Sequence, residues 1–228
     1  MNRFVWLPVI LAFAASAASS REGLTLHRTF KPAEADSYQM SMTEHLESAD
    51  AEVESTWTET VSAVDKDGGA DVKEVNSSFH ITANGMDIPA PPPNSKSFHF
   101  LGDGVFEGPV TDETSVSHVL PDLFAAYAMD KPLVIGLEVN VDGKNGPNLK
   151  ATGTVKLLEV KDGMAKVMLK LLFAAPNEPK SLRADATAIF QVGSARLESI
   201  EGTISDLPAK MAGRYNVQSA DFKVKRLP

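Results

Sequence analysis

The chain has 228 residues, 43% of them hydrophobic and 23% charged, a balance that supports a buried core and excludes wholesale disorder. A formal net charge of −8 argues against a phosphate-backbone partner, so no nucleic acid is expected. The absence of cysteine excludes disulfides, cysteine zinc sites, thiol nucleophiles and the lipid-anchored cysteine of bacterial lipoproteins.

Residues 1–18 have the layout of a secretory signal peptide. Arg3 supplies a positive start, Phe4 to Ala15 an apolar run, and Ala15 to Ala18 the small residues of a cleavage point. That run is shorter than the roughly 20 residues of a membrane span, and no later segment approaches that length. Removing Arg3 with the leader takes the charge from −8 to −9. Residues 19–228 then form a single β-rich domain, exported to the periplasm or beyond the cell, with no stable membrane span.

Most of this domain reads as strands. Leu24 and Leu26 alternate with polar residues, as do Tyr38, Met40, Met42 and Leu46. Val53, Trp57 and Val61 share one phase of a Thr- and Val-rich run. Asp65 to Gly69 marks a turn. In the strand after it, Val72 is out of phase with Val75, Phe79 and Ile81, which calls for a bulge or an irregular start. The proline run 88–94 cannot lie in a central strand. Phe98 and Phe100 flank His99 in a short strand.

One helix is expected near 117–129, with Leu120, Leu123, Phe124 and Tyr127 on one face, Pro121 in the first turn and Pro132 beyond its end. Further strands follow at 133–141, 150–160, 164–174, 182–191, 195–205 and 213–225, with Asp142-Gly143, Asp162-Gly163 and Val192-Gly193 in connections. The stretch 154–173 fits both helical and strand periods. A helix would carry Gly163 in its middle, whereas Lys161-Asp162-Gly163 is a hairpin signal between two apolar runs, so the strand reading prevails. The fold class is mainly β: a curved antiparallel meander, half-barrel or open barrel, with one central α-helix.

No pattern carries catalysis. There is no Gly-x-Ser-x-Gly elbow, no phosphate-cradling glycine loop and no dinucleotide fingerprint, so no enzyme and no cofactor are expected. His27, His45, His80 and His99 each oppose the apolar phase of their strand. They read as solvated residues rather than metal ligands, since no close ligand spacing joins them. The acids of 65–71 do not match a calcium loop.

The unusual feature is a second apolar phase. Leu158, Val160, Met164, Met168 and Leu172 lie off the phase of Val155, Leu157, Val167 and Leu169. A helix, a second layer or an apolar ligand could meet them. The expected site is a pocket for a lipid or other apolar ligand, lined by Phe124, Tyr127, Leu158, Met164, Met168 and Leu172. Its owner is a non-enzymatic binding or carrier protein; the alternative is a structural or protein-interaction module of the cell envelope.

In layout the chain resembles two groups. Its signal peptide, antiparallel meander and single helix resemble the bacterial lipoprotein-carrier superfamily of half-barrels, in which a curved sheet wraps a helical plug and shelters acyl chains. The run 132-PLVIGLEV-139 and the hairpin 153-GTVKLLEVKDGMAKV-167 resemble a broad group of uncharacterised exported β-rich bacterial proteins. That group commonly has a tryptophan after the glycine, where this chain has Leu137 or Val139. Neither resemblance implies a catalytic residue.

Overall fold

The computed structural model describes residues 23–89, 95–102, 106–107, 131–145, 149–174, 181–207 and 217–228. Twelve strands run through them: β1 Ala35–His45, β2 Asp50–Val64, β3 Ala70–Ala83, β4 Met86–Ile88, β5 Ser95–Phe100, β6 Phe106–Glu107, β7 Glu138–Asn145, β8 Leu149–Lys161, β9 Met164–Ala174, β10 Leu182–Gln191, β11 Arg196–Ser205 and β12 Ser219–Arg226.

All twelve belong to one antiparallel sheet of order β6-β5-β3-β2-β1-β12-β11-β10-β9-β8-β7, with β4 added on β3. The sheet is open: β6 and β7 end the path without pairing to each other. Two meanders meet at its centre, where β1 pairs with β12 over Tyr38–Arg226 to His45–Ser219. The expected antiparallel meander is therefore present. The helix expected near 117–129 lies outside the described residues.

The period of two decides which face is buried. Along β9, Ala165, Val167, Leu169, Leu171 and Phe173 are buried while Lys166, Lys170 and Leu172 are exposed. Val155 and Leu157 of β8 and Ala184, Ala186 and Ala188 of β10 continue this inner face. Tyr38, Met40, Met42, Val53 and Trp57 join the same apolar cluster from the other meander. Phe30, Val61, Val72, Phe98 and Phe100 form a second, smaller cluster.

Turn chemistry follows the residues. Asp162 (φ 51°) and Gly163 (φ 75°) both take positive φ between β8 and β9, the requirement of a tight two-residue hairpin. The bulge expected in β3 exists but lies mid-strand. Asn76 pairs with Trp57 and Ser78 with Thr56, which leaves Ser77 extra. That extra residue moves the inward phase from Val72 and Glu74 to Phe79 and Ile81, and leaves Val75 facing outward. Two expectations need correction. Residues 134–137 form a turn, so β7 starts at Glu138 rather than at 133. Asp142-Gly143 lies within β7, where Gly143 pairs with Ala151, and is not a connection.

Residues 23–31 are not a sheet strand and end in a turn at Pro32-Ala33, where Ala33 takes φ 61° and the Glu34 N–H donates to the Lys31 carbonyl. They form a strap across one end of the inner face. Leu24 exchanges backbone hydrogen bonds with Leu133, the Thr29 N–H donates to the Ser194 carbonyl, and the Ala33 N–H donates to the Val61 carbonyl. The nine steps from Leu24 to Ala33 reach at most about 30 Å. Six strand spacings from β8 to β2 occupy roughly 29 Å. Nine extended steps are therefore long enough to cross the strands between these anchoring hydrogen bonds. Leu26 and Phe30 point inward, and Phe30 stacks on Phe100 with ring centroids 5.1 Å apart.

Candidate functional site

Of the expected second apolar phase, Leu158, Met164, Met168 and Leu172 lie on the outer face, whereas Val160 pairs with Ala165 and belongs to the inner phase, because the bulge at Leu158 shifts the alternation. Leu158 is 37% and Leu172 44% exposed, and Met164 and Met168 are half-buried. Leu158 is the extra residue of a bulge, because Leu157 pairs with Val167 and Glu159 with Lys166. The turn before β7 lies beside it, with the Gly136 N–H donating to the Leu157 carbonyl; Ile135 and Leu137 of this turn are also exposed. Leu158, Met164, Met168 and Leu172 thus share the outer side of β8–β9, and no described strand covers them. Phe124 and Tyr127 lie outside the described residues.

The rest of the outer face is different in kind. On β1 and β2 it presents Ser37, Gln39, Ser41, Thr43, Thr56 and Thr58, with Ser37 Oγ 2.8 Å from Thr58 Oγ1. On β8–β9 the same face carries Leu158, Met164, Met168 and Leu172 interleaved with Lys156, Lys161, Lys166 and Lys170, a mixed surface with more large apolar side chains than that of β1–β2.

Inside, the register sets a row of ionisable groups between the two apolar clusters: Asp36 beside Glu59, Glu59 beside Glu74, and Glu74 beside Lys96. Adjacent acids repel, so cations must answer them. Arg196 of β11 donates from Nε to both Asp36 oxygens at 2.8 Å, and its Nη2 also contacts Oδ1. Arg28 of the strap donates to Glu34 at 2.6 Å and lies 3.6 Å from Asp36. Arg226 of β12 is 3.6 Å from Asp36 and 2.8 Å from Glu198. Lys96 reaches Glu74 at 3.6 Å, and the Trp57 indole donates to Glu59 at 3.1 Å. Burial, then the charges of Glu59 and Asp36, hold the Tyr38 phenol well above its ordinary pKa. Hydrogen bonding to Asp36 holds Arg196 in its charged form.

This cluster ties strap, β1, β11 and β12 together. Sequence reading missed it, although the signal was there: Asp36 shares the phase of Tyr38 and Met40, and Glu74 that of Val72. A charge on an apolar phase is buried with a partner.

The histidines go to separate places. His45 sits between Asp50 (Nδ1 to Oδ1, 3.0 Å) and Asp221 (Nε2 to Oδ2, 3.1 Å). His80 is 3.3 Å from Asp87, and His99 is 2.8 Å from Asp71 and 3.4 Å from Asp65. Asp71 and His80 are nine residues apart on β3, roughly 30 Å. The two nitrogens of one ring point opposite ways, so the carboxylates about His45 do not converge on a point. Among the described residues no group of three or more histidines and acids could hold a metal.

The fold and surface define the class: among the described residues, a mainly β protein with one open antiparallel sheet whose outer face is polar on β1–β2 and mixes lysines with large apolar side chains on β8–β9. No family model and no curated protein matches the chain. Among solved structures it is similar to a chain from Bacteroides fragilis NCTC 9343, provisionally described as an exported protein with a YmcC-like fold. The TM-score is 0.35 at 10% identity, over 90% of this chain and 100% of that one. A likeness of that size carries no argument about fold or activity. The lipoprotein-carrier resemblance finds no support in these comparisons. No helix among the described residues is long and apolar enough to cross a membrane.

Proposed function

We propose that the protein is an exported, non-enzymatic binding protein that takes a lipid-like or other apolar ligand against the outer side of β8–β9. Leu158, Met164, Met168 and Leu172 supply the described wall. The observation that carries this reading is the apolar strip itself. Four exposed or half-buried large side chains share one side of a hairpin whose other side buries Val155, Leu157, Ala165, Val167, Leu169, Leu171 and Phe173 and exposes Val160. Export rests on the leader-like residues 1–18.

The test is native mass spectrometry of protein purified without detergent. An additional mass that disappears in a Leu158→Ser/Leu172→Ser variant supports the reading, and a bare protein counts against it. The alternative, an interaction module of the cell envelope, is favoured by the strip's breadth, since Ile135 and Leu137 extend it beyond the hairpin. In that case the same variant loses a protein partner and no small molecule.

A further inference from the structure

Charge is not spread evenly along the chain. Residues 23–89 hold 4 lysines and arginines against 13 acids, a net −9, whereas residues 131–174 hold 7 lysines against 4 acids, a net +3. The sheet turns this into an asymmetry of its outer face. Strands β1 and β2 contain no lysine or arginine, and Asp50, Glu52 and Glu54 point outward from them. At the other end, the outward side of β8–β9 carries Lys156, Lys161, Lys166 and Lys170 against one acid, Glu159, with Glu138 of β7 and Asp162 of the turn at its margin. Between the two ends the charges answer one another: Lys223 of β12 lies 3.1 Å from Glu201, and Arg183 of β10 lies 3.2 Å from Asp185.

The lysine-rich end is also where apolar side chains reach water. Among the described residues seven large hydrophobic side chains are exposed, and five of them, Ile135, Leu137, Leu158, Val160 and Leu172, fall within residues 131–174. Neither feature names a partner by itself. Together they match a surface that is apolar below a plane of negative charge: the leucines gain by leaving water, while lysine stems lie along them and carry the ammonium groups outward to anions. An anionic lipid leaflet offers that arrangement, acyl chains beneath phosphates.

We propose that β8–β9 and the turn at 134–137 dock on the surface of an anionic lipid bilayer, with Leu158, Leu172, Ile135 and Leu137 at the acyl boundary and the four lysines among the phosphates. This rests on the reading of β8–β9 as a site for a lipid-like ligand and names the source of that ligand, lipid within a leaflet. The acidic end of the sheet does not cancel the attraction. It lies six strand spacings from β8, roughly 29 Å along the sheet, against a Debye length of about 8 Å at physiological ionic strength. Its carboxylates are repelled where they do approach the leaflet, which turns β8–β9 toward it. A lysine close to an anionic leaflet is worth roughly fivefold in affinity.

The test is co-sedimentation of the exported, leader-free chain with two kinds of vesicle, phosphatidylcholine alone and an equal mixture of phosphatidylcholine and phosphatidylglycerol. The mixed vesicles are expected to bind roughly tenfold tighter or better, and high salt should remove the difference. Lys166→Gln/Lys170→Gln should weaken binding to the mixed vesicles by about fivefold or more. Lys223→Gln/Lys225→Gln makes the same charge change on the outward side of β12 and should alter it by less than about twofold. No binding, equal binding to the two kinds of vesicle, or equal losses in the two double variants overturns the proposal. Native mass spectrometry keeps it apart from the reading beneath it. A wild type that carries an apolar adduct, lost in Leu158→Ser/Leu172→Ser, yet has no preference for the mixed vesicles leaves the ligand site standing and overturns the bilayer as its source. Should Lys166→Gln/Lys170→Gln not fold, Lys156→Gln/Lys161→Gln on β8 takes its place with the same expected loss, and undiminished binding overturns the proposal.

Discussion

Arg196→Met is the most informative single change to the ionic cluster. Asp36 is 5% exposed, and its short contacts all come from Arg196. Removing one partner of a buried ion pair costs about 3–5 kcal/mol, because the other charge is left stranded. Two corrections reduce this. The Arg196 side chain is itself 23% exposed, and the guanidinium groups of Arg28 and Arg226 remain 3.6 Å from Asp36. About 2–3 kcal/mol is the result. In urea, with a slope of about 2 kcal/mol/M, the midpoint should fall by roughly 1–1.5 M. In an Asp36→Asn background the same substitution should cost clearly less, since the stranded charge is gone. Because Arg28 and Glu34 are also in the cluster, amides of the strap should exchange faster in the single variant. A loss below roughly 0.5 kcal/mol, or an equal loss in both backgrounds, would refute the argument that Asp36 depends on Arg196.

Other consequences are simpler to check. Leu172→Ser, on the outer face, should cost less than about 0.5 kcal/mol, whereas Phe173→Ala next to it should cost about 3–5 kcal/mol by chemical denaturation. Similar losses at both positions would mean that the outer face is packed. His45 has a raised pKa, chiefly through its hydrogen bonds to Asp50 and then Asp221. A raised folded-state value gives stability that is fully present below the unfolded value of 6.5 and lost as pH rises through the folded one. The melting-temperature gap between wild type and His45→Asn should therefore be widest in mild acid and shrink in alkali; a gap that widens in alkali contradicts the double contact. Gly153 has φ +141°, and a Cβ there would collide with the Lys170 carbonyl, so Gly153→Ala should destabilise by roughly 2 kcal/mol or more.

The strands were legible wherever one face is buried and the other wet. Met40 and Met42, Val53 and Trp57, and the β8–β9 hairpin all show the period of two, and their burial follows it. Legibility failed where an irregularity shifts the phase. Ser77 moves the inward phase in mid-strand, which local alternation signals without locating. Asp142-Gly143 has turn chemistry, but pairing with β8 holds it in a strand. Leu24 and Leu26 alternate as strand residues do, yet they belong to a strap, because alternation reports a buried side and not a hydrogen-bonded neighbour. The apolar residues of the outer strip could be named from sequence, but not the face on which they lie. The ionic row depends on register across several strands, which no single-strand pattern contains.

Native mass spectrometry of the detergent-free protein tests the central claim most directly. The account expects an added apolar mass on the wild type that is lost on denaturation and absent from the Leu158→Ser/Leu172→Ser variant. A wild-type protein that stays bare after exposure to a lipid extract, or a variant that keeps the added mass, would contradict it.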